Sequence, residues 1–462
     1  MKNFSNFILI FILIFGLVIY VTFKFFQTDL EDDIRSGVSN FLKNKIINYP
    51  KDFYNNEAIS LPQDFIVDTT LIGFTDKLVY SSGEEIQLHY RSNEEFSLLI
   101  QKADNAGFET ILKENLSDSS HERLIFNTYE GFDSKDFKKY SFNTDHAGWV
   151  QISLKSEQSS QTFPIFVEPD RKGGMLFVES TNTFKAYQYF SPSWNHYLYP
   201  NNLKGIFTRP KNYPISYSIK YHLRDGVSND WTCVQHLINA DLVLKQTLNS
   251  IGIDFDISSE EIFEREDSLD KYTTIFFGAH HEYWSLKKLK KIKSFIDSGG
   301  KVVFLGGNTA YRWILNTNER DYIWGSSVLK DNHQDFIENY LGSYYDERGY
   351  GTSSSFKARD HRDLPKKFNF LSEVDHFGTS SIIKGCQNKI HGASGIETDK
   401  LLSTSKGFHI LAKGTNGFSG GSDLIYKEFP EGGEILNFGS ISLWHRIDDP
   451  VIQKIIKTFI NH

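Results

Sequence analysis

Hydrophobic and polar positions change rhythm three times along the chain. Phe7 to Phe23 is an unbroken run of uncharged, mainly apolar residues preceded only by Lys2 and the amino group. A run of that length reads as a transmembrane helix at the short end of what crosses a bilayer. No small-residue cleavage pattern follows it, because Lys24-Phe25-Phe26-Gln27 is bulky, so an uncleaved anchor over 1–28 is predicted. Positive charge before the run and Asp29, Glu31, Asp32 and Asp33 after it predict a single-pass protein, N-terminus cytoplasmic and bulk extracytoplasmic. Ile34, Val38, Phe41, Leu42 and Ile46 then recur at helical spacing up to Pro50, giving a stalk over 29–58.

Over 59–170 the pattern becomes alternating. Glu85 to Tyr90, Phe96 to Gln101 and Trp149 to Leu154 are short alternating stretches separated by Gly, Asn, Asp and Ser, which predicts an all-β sandwich. The junction Glu168-Pro169-Asp170-Arg171-Lys172-Gly173-Gly174 leads into a third rhythm, in which apolar strands alternate with helical stretches over 171–462. Strands are expected at Met175 to Glu179, Asp254 to Ile257, Thr273 to Gly278, Lys301 to Leu305 and Glu434 to Gly439. Between them, Ser285 caps a helix whose inner stripe is Leu286, Leu289, Ile292 and Phe295 and which Gly299 stops. Asp449-Pro450 opens a last helix with Ile452, Ile455, Ile456 and Phe459 facing in. Such alternation predicts an α/β domain with a mostly parallel sheet and helices on both faces.

Composition narrows the class of partner. A net charge of -8 and a pI near 6.0 give no phosphate-tracking surface, so nucleic acid is not an expected partner. Lys287, Lys288, Lys290, Lys291 and Lys293 fall between apolar helical positions and read as a solvated helix face. Cys233 and Cys386 are the two cysteines, too few for a disulfide framework or a cysteine zinc site. One disulfide and two buried thiols both remain open.

In a parallel α/β sheet, ligands bind beyond the carboxyl ends of the strands. Thr273 to Gly278 is followed by Ala279 and then His280, His281, Glu282, Tyr283 and Trp284, which puts imidazole and carboxylate groups at such an end. The bland alternative is that these groups only cap the next helix, but so many ionisable groups at one strand end favour a site. Gly306-Gly307-Asn308 follows the next strand: the glycines permit close backbone approach, and Asn308 offers a donor and an acceptor. An ordinary tight turn explains it equally well. Tyr187 follows the first strand, and Ser422-Asp423 and Gly439-Ser440 bracket the last.

Together these segments resemble the C-terminal domain family of the large (beta) subunit of N,N-dimethylformamidase. The matching pieces are Asn182-Thr183-Phe184-Lys185-Ala186-Tyr187, Arg209-Pro210, Gly278 through Ser285, Gly299 through Thr309, Glu397-Thr398-Asp399, Ser422 through Tyr426 and Gly439-Ser440-Ile441. The resemblance covers about 171–462, and Gly73-Phe74-Thr75-Asp76-Lys77 with Gly83-Glu84 is similar to the family's preceding β-domain. It implies a glutamine amidotransferase-like fold and a mononuclear iron held by two tyrosines and a glutamate, acting on an amide carbonyl or on water. Carried onto this chain, Glu282 matches the glutamate, Tyr187 one tyrosine and Tyr213 the other, with Tyr199 and Tyr217 as rivals for Tyr213. His280 and Asn308 match polar groups beside the metal, and Asp423 matches an acidic residue that handles protons. An all-oxygen ligand set suits a hard iron ion better than zinc.

The chain departs from the family at His281, where an acidic residue is common, and in adding an anchor while lacking a counterpart to the accessory region. The expected function is thus a membrane-anchored, iron-dependent hydrolase of amide or related C–N bonds. Its substrate is a small amide, and its protein partners are a second copy or a small accessory subunit. A non-catalytic envelope binding protein on the same fold is the alternative. A cysteine amidotransferase needs a thiol at the strand-to-helix turn, where this chain has His280 and Glu282.

Overall fold

The computed structural model describes residues 64–67, 71–104, 107–118, 124–127, 131–168, 173–187, 205–206, 238–265, 269–316, 321–324, 332–346, 348, 352–360, 364–379, 381–382, 390–417 and 420–461. All lie in one compact unit, 61–222 with 226–462. Its N-terminal part is built of short strands. Leu71–Thr75, Glu85–Ser92 and Lys138–Asn143 form one antiparallel sheet. Phe96–Asp104, Gly107–Leu116, Gly148–Lys155 and Ser160–Val167 form a second, with Val79–Tyr80 added in parallel at its edge. Alternation turns Ile86 and Leu88 from the first sheet and Leu98, Ile100, Val150, Ile152, Phe163 and Ile165 from the second into one buried core. Trp149 and Phe166 share a further buried cluster with Phe184, on the helix that will carry part of the site.

The C-terminal part is organised on a nine-stranded sheet. Its strands run, from edge to edge, Asp256–Ser259, Gly174–Glu179, Tyr272–Phe277, Lys301–Phe304, Glu434–Asn437, Asp423–Glu428, His409–Gly414, Phe356–Ala358 and His376–Phe377. The first five are mutually parallel, and every later pairing is antiparallel. Connection length explains the change. Tyr272–Phe277 reaches Lys301–Phe304 through the helix Leu286–Asp297, whereas Asp423–Glu428 returns to Glu434–Asn437 through the turn 429–433, with Gly432 at φ 89°. Only a crossover of about a dozen residues or more reaches a parallel neighbour. The expected mostly parallel, glutamine amidotransferase-like α/β fold is therefore corrected: the chain is β-rich, and its sheets are mixed or antiparallel. Of the strands between 409 and 437 the hydrophobic pattern marks only the last, and it does not fix the direction in which strands pair.

The localisation is corrected as well. Among the described residues no helix is long and apolar enough to cross a membrane, and the longest, Ile238–Ser250, has 13 residues. At 1.5 Å per residue that is about 20 Å, short of a hydrocarbon core roughly 30 Å thick. The single-pass arrangement finds no support, and the expected anchor and stalk over 1–58 lie outside the described residues, as do Cys233 and Cys386.

Several local expectations match the observed elements. Ser285 caps Leu286–Asp297 by accepting from Lys288 N at 3.0 Å, Gly299 follows at φ 90°, and Leu289, Ile292 and Phe295 are buried. Pro450–Asn461 buries Ile452, Ile455, Ile456 and Phe459. The lysine-rich face is not uniformly solvated, however: Lys288 is fully buried and ion-paired with Glu260.

Candidate functional site

Register places the ends of the five parallel strands level, with Ser259 beside Glu179, Val178 beside Phe277, Phe277 beside Phe304 and Phe304 beside Asn437. Glu260, Ser180, His280, Asn308 and Ser440 follow these ends, and the loops are tied together below the site. Asp241 accepts from Ala279 N at 2.6 Å with one oxygen and from Ser180 N and Oγ at 2.8 and 2.6 Å with the other. Gly278 is required there, because a Cβ would stand 2.0 Å from Asp241 Oδ1. Gly306 is required against the next loop, since its Cβ would meet Ala279 O at 1.9 Å. That glycine therefore serves backbone-to-backbone packing.

On this platform His280, Glu282 and Asn308 converge, and Tyr187 joins them from the end of the helix Thr181–Ala186. Tyr187 Oη donates to Glu282 Oε2 at 3.1 Å, and its ring lies edge-on to His280 with centroids 5.9 Å apart. His280 Nε2 is 3.5 Å from Glu282 Oε2 and 3.3 Å from Glu397 Oε2. Asn308 Nδ2 donates to Glu397 Oε2 at 2.7 Å and lies 3.5 Å from His280 Nε2. Asn308 Oδ1 is buried and has no hydrogen-bond partner among the described residues. Arg312 Nε completes the set at 3.3 Å from Glu282 Oε1.

Burial dominates the electrostatics. It lowers the pKa of His280 to about 4, outweighing the nearby Glu282, so this imidazole is neutral at neutral pH. The Glu282 carboxyl is raised, first by burial, against the pull of His280, with Glu397 adding repulsion. Asp399, fully buried, is pushed up to about 7 by burial although it accepts from Asn308 N at 2.7 Å and Thr309 N at 3.4 Å. Those bonds hold Asn308 in its left-handed conformation at φ 53°.

The predicted residues thus divide. Tyr187, His280, Glu282 and Asn308 come together. Asp423 does not join them: its carboxylate accepts from Leu401 N at 3.0 Å and lies 3.7 Å from Lys400 Nζ. Tyr213, Tyr199 and Tyr217 lie outside the described residues. Sequence reasoning missed Glu397 and Arg312 as site members. Glu397 belongs to a segment matched in the resemblance but follows no core strand, and Arg312 opens a strand of a different sheet. His281 turns away from the cluster: Nδ1 lies 2.9 Å from Glu260 Oε1, while Nε2 accepts from Gly278 N at 2.9 Å.

Among the described residues no group of three His, Cys, Asp or Glu side chains is arranged to hold a metal. A hard ion on phenol and carboxylate oxygens is a different donor set. Tyr187 Oη and Glu282 Oε2, 3.1 Å apart, are two oxygens spaced as neighbouring ligands of one such ion would be, so the residues present fit part of that set.

The family model described as N,N-dimethylformamidase beta subunit-like, C-terminal, matches residues 146–453. The N,N-dimethylformamidase beta subunit of Paracoccus aminophilus is 27% identical over 110 residues, which is 23% of this chain and 14% of that relative. Among solved structures, the beta-galactosidase from Bacillus circulans sp. alkalophilus has a TM-score of 0.31 at 15% identity, covering 48% of this chain and 27% of its own. The cold-adapted beta-galactosidase from Rahnella sp. R3 has a TM-score of 0.27 at 12% identity, with the same two coverages of 48% and 27%. Likenesses this low carry no argument about fold or activity.

Proposed function

This chain belongs to the N,N-dimethylformamidase beta subunit-like, C-terminal family, and from that membership we propose that it hydrolyses a small amide or related C–N bond at the cluster around Glu282. The observation that carries the proposal is the convergence of Tyr187 Oη and His280 Nε2 on Glu282 Oε2, at 3.1 and 3.5 Å. Glu282 and Tyr187 would hold an iron ion, with Tyr213 as the third ligand. When bound, such an ion acts as a Lewis acid toward a carbonyl or lowers the pKa of water.

The chain's own groups supply the proton handling. Glu397, the more open of the two carboxylates with 13% of its side chain exposed, takes a proton from the attacking water. Asn308 orients it through the 2.7 Å bond to Oε2. Glu397 then returns that proton to the departing nitrogen, neutral His280 steadying the re-formed carboxylate from Nε2 at 3.3 Å, so that the C–N bond breaks to an amine and a carboxylic acid. Arg312 fixes the other oxygen of Glu282. The relative is named as one subunit of an enzyme, which supports an accessory subunit as partner.

The test is elemental analysis of the purified protein together with a screen of small amides, repeated with Glu282→Ala. Turnover that depends on Glu282 and on a bound metal is the expected result. Iron-free protein whose Glu282→Ala variant keeps full activity would overturn the proposal, and ligand binding without turnover would point to a binding protein instead.

A further inference from the structure

Beneath the cluster lies a second set of charged groups that the proposed chemistry does not use. Glu260, fully buried, opens the helix Glu260–Arg265 and is ion-paired with Lys288, itself fully buried. Its two carboxylate oxygens serve different parts of the site. Oε1 faces His281 Nδ1 at 2.9 Å and the Lys288 ammonium, and His281 immediately precedes Glu282. Oε2 accepts from Asn182 N at 2.6 Å, in the helix that ends at Tyr187. The backbone of Glu260 adds a bond from its N–H to Thr181 Oγ1 at 2.9 Å. A direct tie, Glu282 N to Thr183 Oγ1 at 3.0 Å, joins the same two segments.

We propose that Glu260, balanced by Lys288, is a positioning residue that sets the spacing between Tyr187 and Glu282. A carboxylate meets the geometry with His281 in its Nδ1–H tautomer, the one in which Nε2 accepts from Gly278 N. It presents acceptors on both oxygens, one for the Asn182 N–H and one for the His281 N–H, while an amide has a single acceptor and must abandon one arm. Lys288 makes the charge tolerable in a fully buried place, because an unpaired buried carboxylate is strongly destabilising. His281 is what lets the first arm reach: an acidic side chain at that position would offer Glu260 no ring N–H at neutral pH. The kinetic consequence rests on the hydrolase reading, whereas the structural coupling does not.

The test compares wild type with Glu260→Gln/Lys288→Met, which removes the charge pair together at nearly constant volume. Nitration of Tyr187 by tetranitromethane, read by peptide mass spectrometry against Tyr140 in the β-sheet region, reports the arm without reference to activity. We expect Tyr187 to be nitrated several-fold faster in the variant while Tyr140 is unchanged. On an amide that the wild type hydrolyses, kcat should fall about tenfold or more with KM within about twofold, as for an interaction felt only in the transition state. Unchanged Tyr187 nitration in a folded variant overturns the inference whatever the kinetics do. Wild type that turns over no amide sinks the hydrolase reading and leaves the nitration result to decide the coupling. Should the double variant not fold, His281→Leu removes the His281 arm of the Glu260 carboxylate without touching the charge pair, and the same two nitration outcomes apply.

Discussion

Tyr187 and Glu282 stand 95 positions apart in sequence, and their side-chain oxygens are 3.1 Å apart. The pair is held by backbone contacts, since Glu282 N donates to Thr183 Oγ1 and Tyr187 N to Thr183 O, both at 3.0 Å. Tyr187→Phe should therefore leave the fold intact while removing one donor from the carboxylate. A hydrogen bond to a charged group contributes about 1.5–3 kcal/mol, so kcat/KM is expected to drop roughly tenfold to a hundredfold. Metal content per protein should fall in the same variant, and in Glu282→Ala further still. Equal metal content and equal kcat/KM in Tyr187→Phe and wild type would remove Tyr187 from the site.

Gly306 offers a test of how closely the two site loops must approach. A methyl group there would stand 1.9 Å from Ala279 O, a backbone atom in the loop that carries His280. Gly306→Ala should cost about 3 kcal/mol or more, the upper range for overpacking a rigid neighbour, and should impair any activity of the site. Gly417→Ala is the matched control, because among the described residues nothing lies within 4 Å of its added carbon and its φ is not left-handed; a change within about 0.5 kcal/mol is expected. Urea denaturation of the two variants distinguishes them, and equal midpoints would contradict the close approach.

What the sequence makes legible follows from how local each signal is. His280, Glu282 and Asn308 directly follow apolar strands, so the rule that ligands gather at strand ends finds them without knowledge of the pairing. Tyr187 is marked less by spacing than by the family resemblance. Glu397 reaches His280 from about 117 positions away through a connection that periodicity cannot place. Lys288 is the reverse case. Its position in the helix says only that it borders the apolar stripe, and its burial is decided by Glu260, 28 positions earlier. Strand direction in the 409–437 hairpins is likewise a property of turn length and not of hydrophobic pattern.

A second buried pair, Lys245 with Glu179, sits at the end of the Gly174–Glu179 strand, with the carboxylate 0% and the lysine 4% exposed. Burial lifts Glu179 to about 7 against the opposing attraction of Lys245. Lys245→Met alone strands that carboxylate and should destabilise by about 3–5 kcal/mol, while Lys245→Met/Glu179→Leu should recover most of the loss. A double variant no more stable than the single one would show that the pair is held for a reason other than mutual neutralisation.

Asp399 gives a prediction in pH. Burial raises its carboxyl to about 7 in the folded protein, against about 4 in an unfolded chain. Between those values the folded state holds a proton that the unfolded state has released, so the contribution of Asp399 to stability is complete below about pH 4 and is lost as pH rises through 7. Asp399→Asn cannot ionise and escapes that loss, but it can accept only one of the two N–H groups, from Asn308 and Thr309, that the carboxylate holds. The variant should therefore be less stable than wild type at pH 4 by roughly 1–2 kcal/mol, and the gap should narrow or reverse by pH 8. Thermal midpoints of both proteins at half-unit steps across that range check it. Glu179 titrates in the same direction in both proteins and His280 in the opposite one, so the difference between the two curves isolates Asp399. A gap that stays constant with pH would mean that this carboxylate is already ionised in the folded protein at pH 4.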